Sequence, residues 1–281
     1  MKAPKVYTIS PSELSYRCDH CAHLKHNYEL QNKGVSAGIT GELDSIQKKY
    51  FLGDCKKIDM NLPDGEVIDP DHKNESFFSK VLYDNKKRPF RLMGKGDAII
   101  KFDDGSCGII DYKTSKFKKK NSKDYTFNDL KLKHKVDEYD PQLHSYFLLY
   151  SNLETDIEFL KERYKKRYPR TIDPAKINAG AEKNLEKIKQ ISISNKPTLF
   201  GLVFVYPEEE LPVGKINLEK GFSVPFSYKF EKVKIDIDNY LKKITNLIDM
   251  LSLKEPPNPP ENCGCNLYKY FYDKKKLKTN S

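Results

Sequence analysis

Residues 94–115 read GKGDAIIKFDDGSCGIIDYKTS, two short apolar runs around a polar turn, with Asp97, Asp111 and Lys113 at the open ends. The turn candidate is Asp103-Asp104-Gly105, with glycine where a left-handed backbone is wanted. A three-residue loop centred on Asp104 sets Asp97, seven residues before it, opposite Asp111, seven residues after it. Directly opposed side chains lie about 5 Å apart on one face of such a ribbon. Like charges repel there, so the pair needs a counter-charge, and a divalent metal ion would supply it. Lys113 follows Asp111 by two residues and leaves the strand from the same face. A second reading stays open on these residues. A two-residue turn at Asp104-Gly105 would shift the pairing by one, turn Asp97 away and leave an exposed hairpin with scattered charges.

Outward from the hairpin, residues 111–139 read as a basic, weakly apolar loop, and YDPQLHSYFLLYSN (139–152) as a helix with Asp140 as cap and Pro141 in its first turn. Residues 154–194 read as a charged helical insertion. TLFGLVFVYP (198–207) is the nearly continuous apolar run of a strand buried on both faces. SYKFEKVKID (227–236) alternates like a half-exposed strand, and residues 237–253 form an amphipathic helix. Upstream, residues 36–52 are predicted helical, and residues 53–90, polar and rich in Pro, Asp and Lys, irregular. In TISPSELSYRCDHCAHLKH (8–26), Ser10, Pro11 and Glu13 form a helix-start signature, with the cysteines toward the end of a short helix. The fold class expected is a single α/β domain over residues 1–281.

With 281 residues, 38% hydrophobic and 12% aromatic, the chain can bury a core. No run approaches the roughly 20 apolar residues of a membrane span, and MKAPKVYTIS lacks a secretory signal's apolar stretch. A cytoplasmic protein without a membrane partner is expected. The net charge of +10 suits a polyanion, nucleic acid before acidic lipid, although solvated lysines alone can give such a balance. The lysines at 116, 118–120 and 123 are candidates for gripping phosphates. Four of six cysteines form two tight pairs, Cys18/Cys21 and Cys263/Cys265, in regions 10–25 and 255–272. Without a secretory signal, a metal or cluster site ranks above a disulfide framework.

Gly94-Lys95-Gly96-Asp97 followed by Asp111-Tyr112-Lys113 resembles motifs II and III of the PD-(D/E)XK nuclease superfamily. The closer likeness is to its RecB-like branch, which includes the CRISPR-adaptation exonucleases. Gln142-Leu-His-Ser-Tyr146 fits that branch's Gln-x-x-x-Tyr motif, and SPSELSYRCDHC resembles its opening helix ending in a cysteine. Each motif is weak alone; order, spacing and context together are specific. The likeness runs from about residue 9 to 271 and leaves 154–194 unaccounted for.

The resemblance implies a restriction-endonuclease-like core, a mixed sheet flanked by helices. It implies a Mg²⁺- or Mn²⁺-dependent deoxyribonuclease, an exonuclease or single-strand-directed enzyme in repair or CRISPR adaptation. Its partners would be DNA, single-stranded or with free ends, and a helicase or integrase. Asp97, Asp111 and the Tyr112 carbonyl would then be metal ligands, Lys113 the catalytic lysine, and Gln142 and Tyr146 substrate-binding residues. The remaining ligand comes from a helix, commonly as His in Gly-x-x-x-His; Gly38-Ile-Thr-Gly-Glu42 offers Glu42, which also reads as a solvated first-turn glutamate. The branch often carries a [4Fe–4S] cluster on one early and three late cysteines, whereas this chain offers two and two. Zn²⁺ is the rival at Cys18, Cys21, Cys263 and Cys265, with His20 as a substitute ligand. A catalytically silent nucleic-acid-binding or adaptor protein on the same fold is the alternative function.

Overall fold

The computed structural model describes residues 4–14, 18–28, 38–70, 76–114, 129–170, 173–193, 197–207 and 226–259. Its centre is the hairpin β7 (Ala98–Phe102) and β8 (Cys107–Thr114). Ala98 pairs with Ile110 and Lys101 with Cys107, a register symmetric about Asp104. Gly105 closes the loop at φ 81°, and Asp104 Oδ1 accepts from the Ser106 amide at 2.8 Å. The three-residue loop is therefore the one formed, and Asp97, one residue before β7, stands on the side of Asp111.

The hairpin lies inside a six-stranded mixed sheet. Strand β9 (Pro197–Pro207) runs parallel to β8, and β10 (Phe226–Val233) antiparallel to β9 as the edge. On the other side β3 (Gly65–Ile68) pairs antiparallel with β7, and β2 (Gly53–Asp54) with β3. These two strands lie in the stretch expected to be irregular; their few residues are too polar to show a period and are set by pairing with β7. A parallel step from β8 to β9 requires a crossover. It is made by α3 (Asp129–Ser151), α4 (Ile157–Arg167) and α5 (Pro174–Ile191).

Alternation sends the two faces of the sheet into separate cores. Ile99, Ile109, Phe200, Leu202 and Phe204 face α3 and α6 (Ile237–Leu251). Ala98, Ile100, Ile110, Tyr112 and Val203 face the other way, onto Phe51 of α2 (Gly38–Phe51) and the turn at Cys55–Lys57. A second, small sheet joins the first core through Ile9, Phe90 and Leu92. It comprises β1 (Tyr7–Ile9), β4 (Phe77–Phe78), β5 (Leu82–Tyr83) and the central β6 (Pro89–Gly94).

Two expected helix starts are corrected. Helix α3 begins at Asp129 and runs through Pro141, so Asp140 is no cap. A proline suits a first turn, but here packing of Val136 and Tyr139 on the main core carries the helix past it. Ser10 heads only a 3-10 turn, Pro11–Glu13, with no side-chain cap. Glu13 instead pairs with Lys25 and His26 of α1 (Asp19–Tyr28), so Cys18 and Cys21 stand at the start of that helix rather than its end. Among the described residues no helix is long and apolar enough to cross a membrane.

Candidate functional site

The site forms where the hairpin's open end meets α3 and α2. Asp97 Oδ2 accepts the Tyr112 amide at 2.9 Å, which ties the first acid to the strand carrying the second. Lys113 Nζ lies 2.5 Å from Asp111 Oδ2 outside hydrogen-bond geometry, so this buried oxygen keeps lone pairs with no aligned donor. Nζ also donates to Gln142 Oε1 at 2.7 Å and sits 4.4 Å from the Tyr139 ring centre. Four-residue spacing on α3 carries the face onward from Gln142 to Tyr146 and Tyr150. Tyr150 Oη accepts the Gly96 amide at 2.5 Å, fixing the residue before Asp97.

Electrostatics mark the same spot. Burial pushes the Asp111 carboxyl up to about 8; Asp97's neighbouring charge adds to the rise and Lys113 opposes it. Burial, with Asp111 and Asp97 nearby, holds the Tyr146 hydroxyl protonated well above its ordinary range. Tyr112 turns its ring to the opposite face, stacked on Phe51 at 5.3 Å.

The structure thus brings together Asp97, Asp111, Lys113, Gln142 and Tyr146. Glu42 it does not: the residue is exposed in the second turn of α2, and among the described residues no group of three His, Cys, Asp or Glu side chains is arranged to hold a metal. The reason is helical phase. Asp44, about 200° around the helix from Glu42, turns with Lys48 toward the hairpin. Lys48 Nζ bridges Asp44 Oδ2 at 3.1 Å and Asp97 Oδ1 at 3.3 Å. Sequence reasoning missed Lys48, Asp44, Tyr139 and Tyr150. The i,i+4 Asp44/Lys48 pair and the continuation of the Gln142/Tyr146 face to Tyr150 were the available signals.

No protein-family model and no curated protein matches the chain. A solved structure does. The crystal structure of SSO0001 matches with a TM-score of 0.41 and 15% identity, covering 90% of this chain and 81% of that one.

The donor set fits a hard divalent cation in part: two opposed carboxylates, one with an unaligned buried oxygen, and no soft ligand between them. His144 is not part of it. Its Nδ1 lies 2.9 Å from Asp140 O, its Nε2 accepts the Asp236 amide at 2.7 Å, and its ring stacks on Tyr240, a structural role. Of the cysteines, Cys18 and Cys21 are partly buried at the head of α1, while Cys263, Cys265 and the lysines at 116, 118–120 and 123 lie outside the described residues.

Proposed function

We propose that this chain is a metal-dependent nuclease of the PD-(D/E)XK type, hydrolysing DNA phosphodiester bonds in single strands or at ends. The observation that carries this reading is the Asp97–Asp111 pair with Lys113 beside it, braced from α3 by Gln142. Asp97, Asp111 and the Tyr112 carbonyl are the proposed oxygen donors for one Mg²⁺ or Mn²⁺. Two carboxylates suffice for an ion that keeps several waters and shares the substrate phosphate. Bound there, the cation would polarise the phosphate and acidify a water.

The chain's own groups do the rest. Lys113, held between Asp111 and Gln142, presents a fixed ammonium to orient the attacking water and offset the charge growing on the phosphate. Tyr146 stays protonated and so remains a donor to a phosphate oxygen. Lys48 balances Asp97 from α2.

The cysteines are inferred to hold a second, structural group, iron–sulfur before zinc. His20 Nδ1 lies 2.7 Å from Pro257 O and His23 Nε2 2.9 Å from Leu253 O, so the chain past α6 runs beside the first turns of α1. Six residues separate Pro257 from Cys263, a reach of at most about 20 Å. An anaerobic preparation should be brown, with iron and sulfide; a colourless one with stoichiometric zinc would reverse the order.

The activity is tested with end-labelled single- and double-stranded DNA in Mg²⁺, Mn²⁺ or EDTA. Cleavage should need metal and be lost in Asp111→Asn and Lys113→Ala. Cleavage that survives Lys113→Ala would remove this site from the mechanism. If intact, metal-loaded protein cuts no nucleic acid, the binding-module alternative takes its place.

A further inference from the structure

Helices α4 and α5, the segment to which the nuclease motifs give no role, cover the outer face of the small sheet. Arg91 of β6 pairs with Glu154 at 2.7 Å and lies over the Phe159 ring, and Phe159 meets Phe78 edge-on. Beside this contact a cleft of about 360 Å³ opens between α4, α5 and the β4–β6 pair, within the size range of small-molecule sites. Its base is Phe78, Met93 and Leu160; Arg163, Lys166 and Arg167 stand around it, and none of its lining residues is acidic.

Two groups in the cleft are left wanting a ligand. Arg163 is half-buried 4.2 Å from the Phe78 ring centre, with no carboxylate in ion-pair range among the described residues. Burial without a counter-charge lowers its guanidinium below the ordinary value. Asn184 Oδ1 is buried with no donor. Gly180 lets the Tyr164 ring pack directly against α5 at the cleft wall, since a Cβ there would run into that ring. An aromatic and thioether base, an unfilled acceptor and three cations match one chemistry: a nucleobase that carries a donor and is joined to phosphates.

We propose that this cleft binds a nucleotide of single-stranded nucleic acid, its base against Phe78 and Met93 with a donor to Asn184, its phosphates at Arg163, Lys166 and Arg167. Met93 precedes Asp97 by four residues, so the Cα atoms of the two lie at most about 14 Å apart along the same stretch of chain. The inference extends the nuclease reading by giving the strand a second hold, but binding at the cleft needs no cleavage.

The test is therefore made in EDTA, with a labelled dC oligomer of about 16 nucleotides and its affinity measured over a range of salt. Arg163→Met should weaken binding about tenfold and lower the salt slope by about one. Lys166→Glu, at an exposed position where folding is not at stake, should weaken it at least as much. Lys232→Glu, an exposed charge reversal on the edge strand β10 and outside the cleft, should bind like the parent, which separates loss of the cleft from loss of net charge. No binding by the parent, or neither variant altering affinity and slope, overturns the proposal. So does binding of the mononucleotide dCMP as tight as that of the oligomer. Parent protein that binds but never cuts would sink the nuclease reading and leave this one standing.

Discussion

Lys48 Nζ lies 3.3 Å from Asp97 Oδ1, so the hairpin acid facing Asp111 is held from the opposite side of the sheet by an ammonium of α2. Each acid of the pair thus has its own lysine, Lys48 for Asp97 and Lys113 for Asp111. The two lysines differ in use. Lys113 is fixed by Gln142 and faces α3, whereas Lys48 is the charge that a cation at the proposed metal site would have to outcompete. Lys48→Met should therefore tighten Mn²⁺ binding about fivefold, the effect of one charge pair worth about 1 kcal/mol. Calorimetric titration of the metal-free protein checks this; unchanged or weaker binding would show that Lys48 supports the ion instead of opposing it.

Gln142 contributes through Lys113. Its Oε1 accepts at 2.7 Å from a side chain that otherwise has four rotatable bonds to explore. On the proposed nuclease reading, Gln142→Ala should lower turnover about tenfold with KM nearly unchanged, because the ammonium is still present but no longer aimed. An equal loss in KM would instead put Gln142 on the substrate.

The hairpin was legible from its turn residues, its two apolar runs and its charged ends, but its register was not: a two-residue turn at Asp104-Gly105 was equally open, and that slip of one residue would have reversed every side chain. Strand β9 was legible because parallel, doubly covered strands are apolar throughout. Glu42 was misplaced because a motif fixes a residue's distance along the chain but not its phase around a helix, and two residues turn a side chain to the opposite face. The start of α3 was missed because Pro141 is a good first-turn residue and its tolerance in the interior depends on packing that only the fold supplies. The short strands β2 and β3 carry too few residues for any period to show.

Tyr150 shapes the approach to the site without touching its charges. Its hydroxyl accepts the Gly96 amide at 2.5 Å in the buried interior, one residue before Asp97. Tyr150→Phe leaves that N–H without an acceptor and should cost about 1–3 kcal/mol of unfolding free energy in urea titration. Cleavage should fall as well, since Asp97 loses the anchor of its neighbour. Full stability in the variant would mean another acceptor reaches Gly96.

The β5–β6 turn titrates in the acid range. Burial alone would raise the Asp84 carboxyl, but Arg88, donating from Nε and Nη2 at 2.9 and 2.6 Å, and the Lys86 and Arg88 amides hold it below the ordinary carboxylate value. A lowered native value means the unfolded chain takes up the proton first. The stabilisation is thus present above the ordinary value of 3.8 and lost as pH falls through the native one. Arg88 also donates to Asp249 at 2.7 Å, so the same residue ties the turn to α6. Arg88→Met should cost about 2–3 kcal/mol at pH 7 and less at pH 3, read from urea midpoints at the two pH values.

Asp111 has the opposite sign. Its native value of about 8, raised first by burial and then by Asp97, stands above the ordinary 3.8, so the native state holds a proton that the unfolded chain has released. That contribution is full below about pH 4 and is lost as pH rises through about 8, which makes the metal-free protein less stable at pH 8 than at pH 5 in this respect. At the proposed metal site a divalent cation would take over the proton's part, so Mg²⁺ or Mn²⁺ should raise the melting temperature at pH 8 and do little at pH 5. Asp111→Asn, which keeps the shape of the protonated acid, should flatten the dependence between pH 5 and 8 and abolish the metal's effect. Melting curves of the two proteins, with and without Mn²⁺, decide it: a parallel rise with metal in Asp111→Asn would mean the ion binds elsewhere.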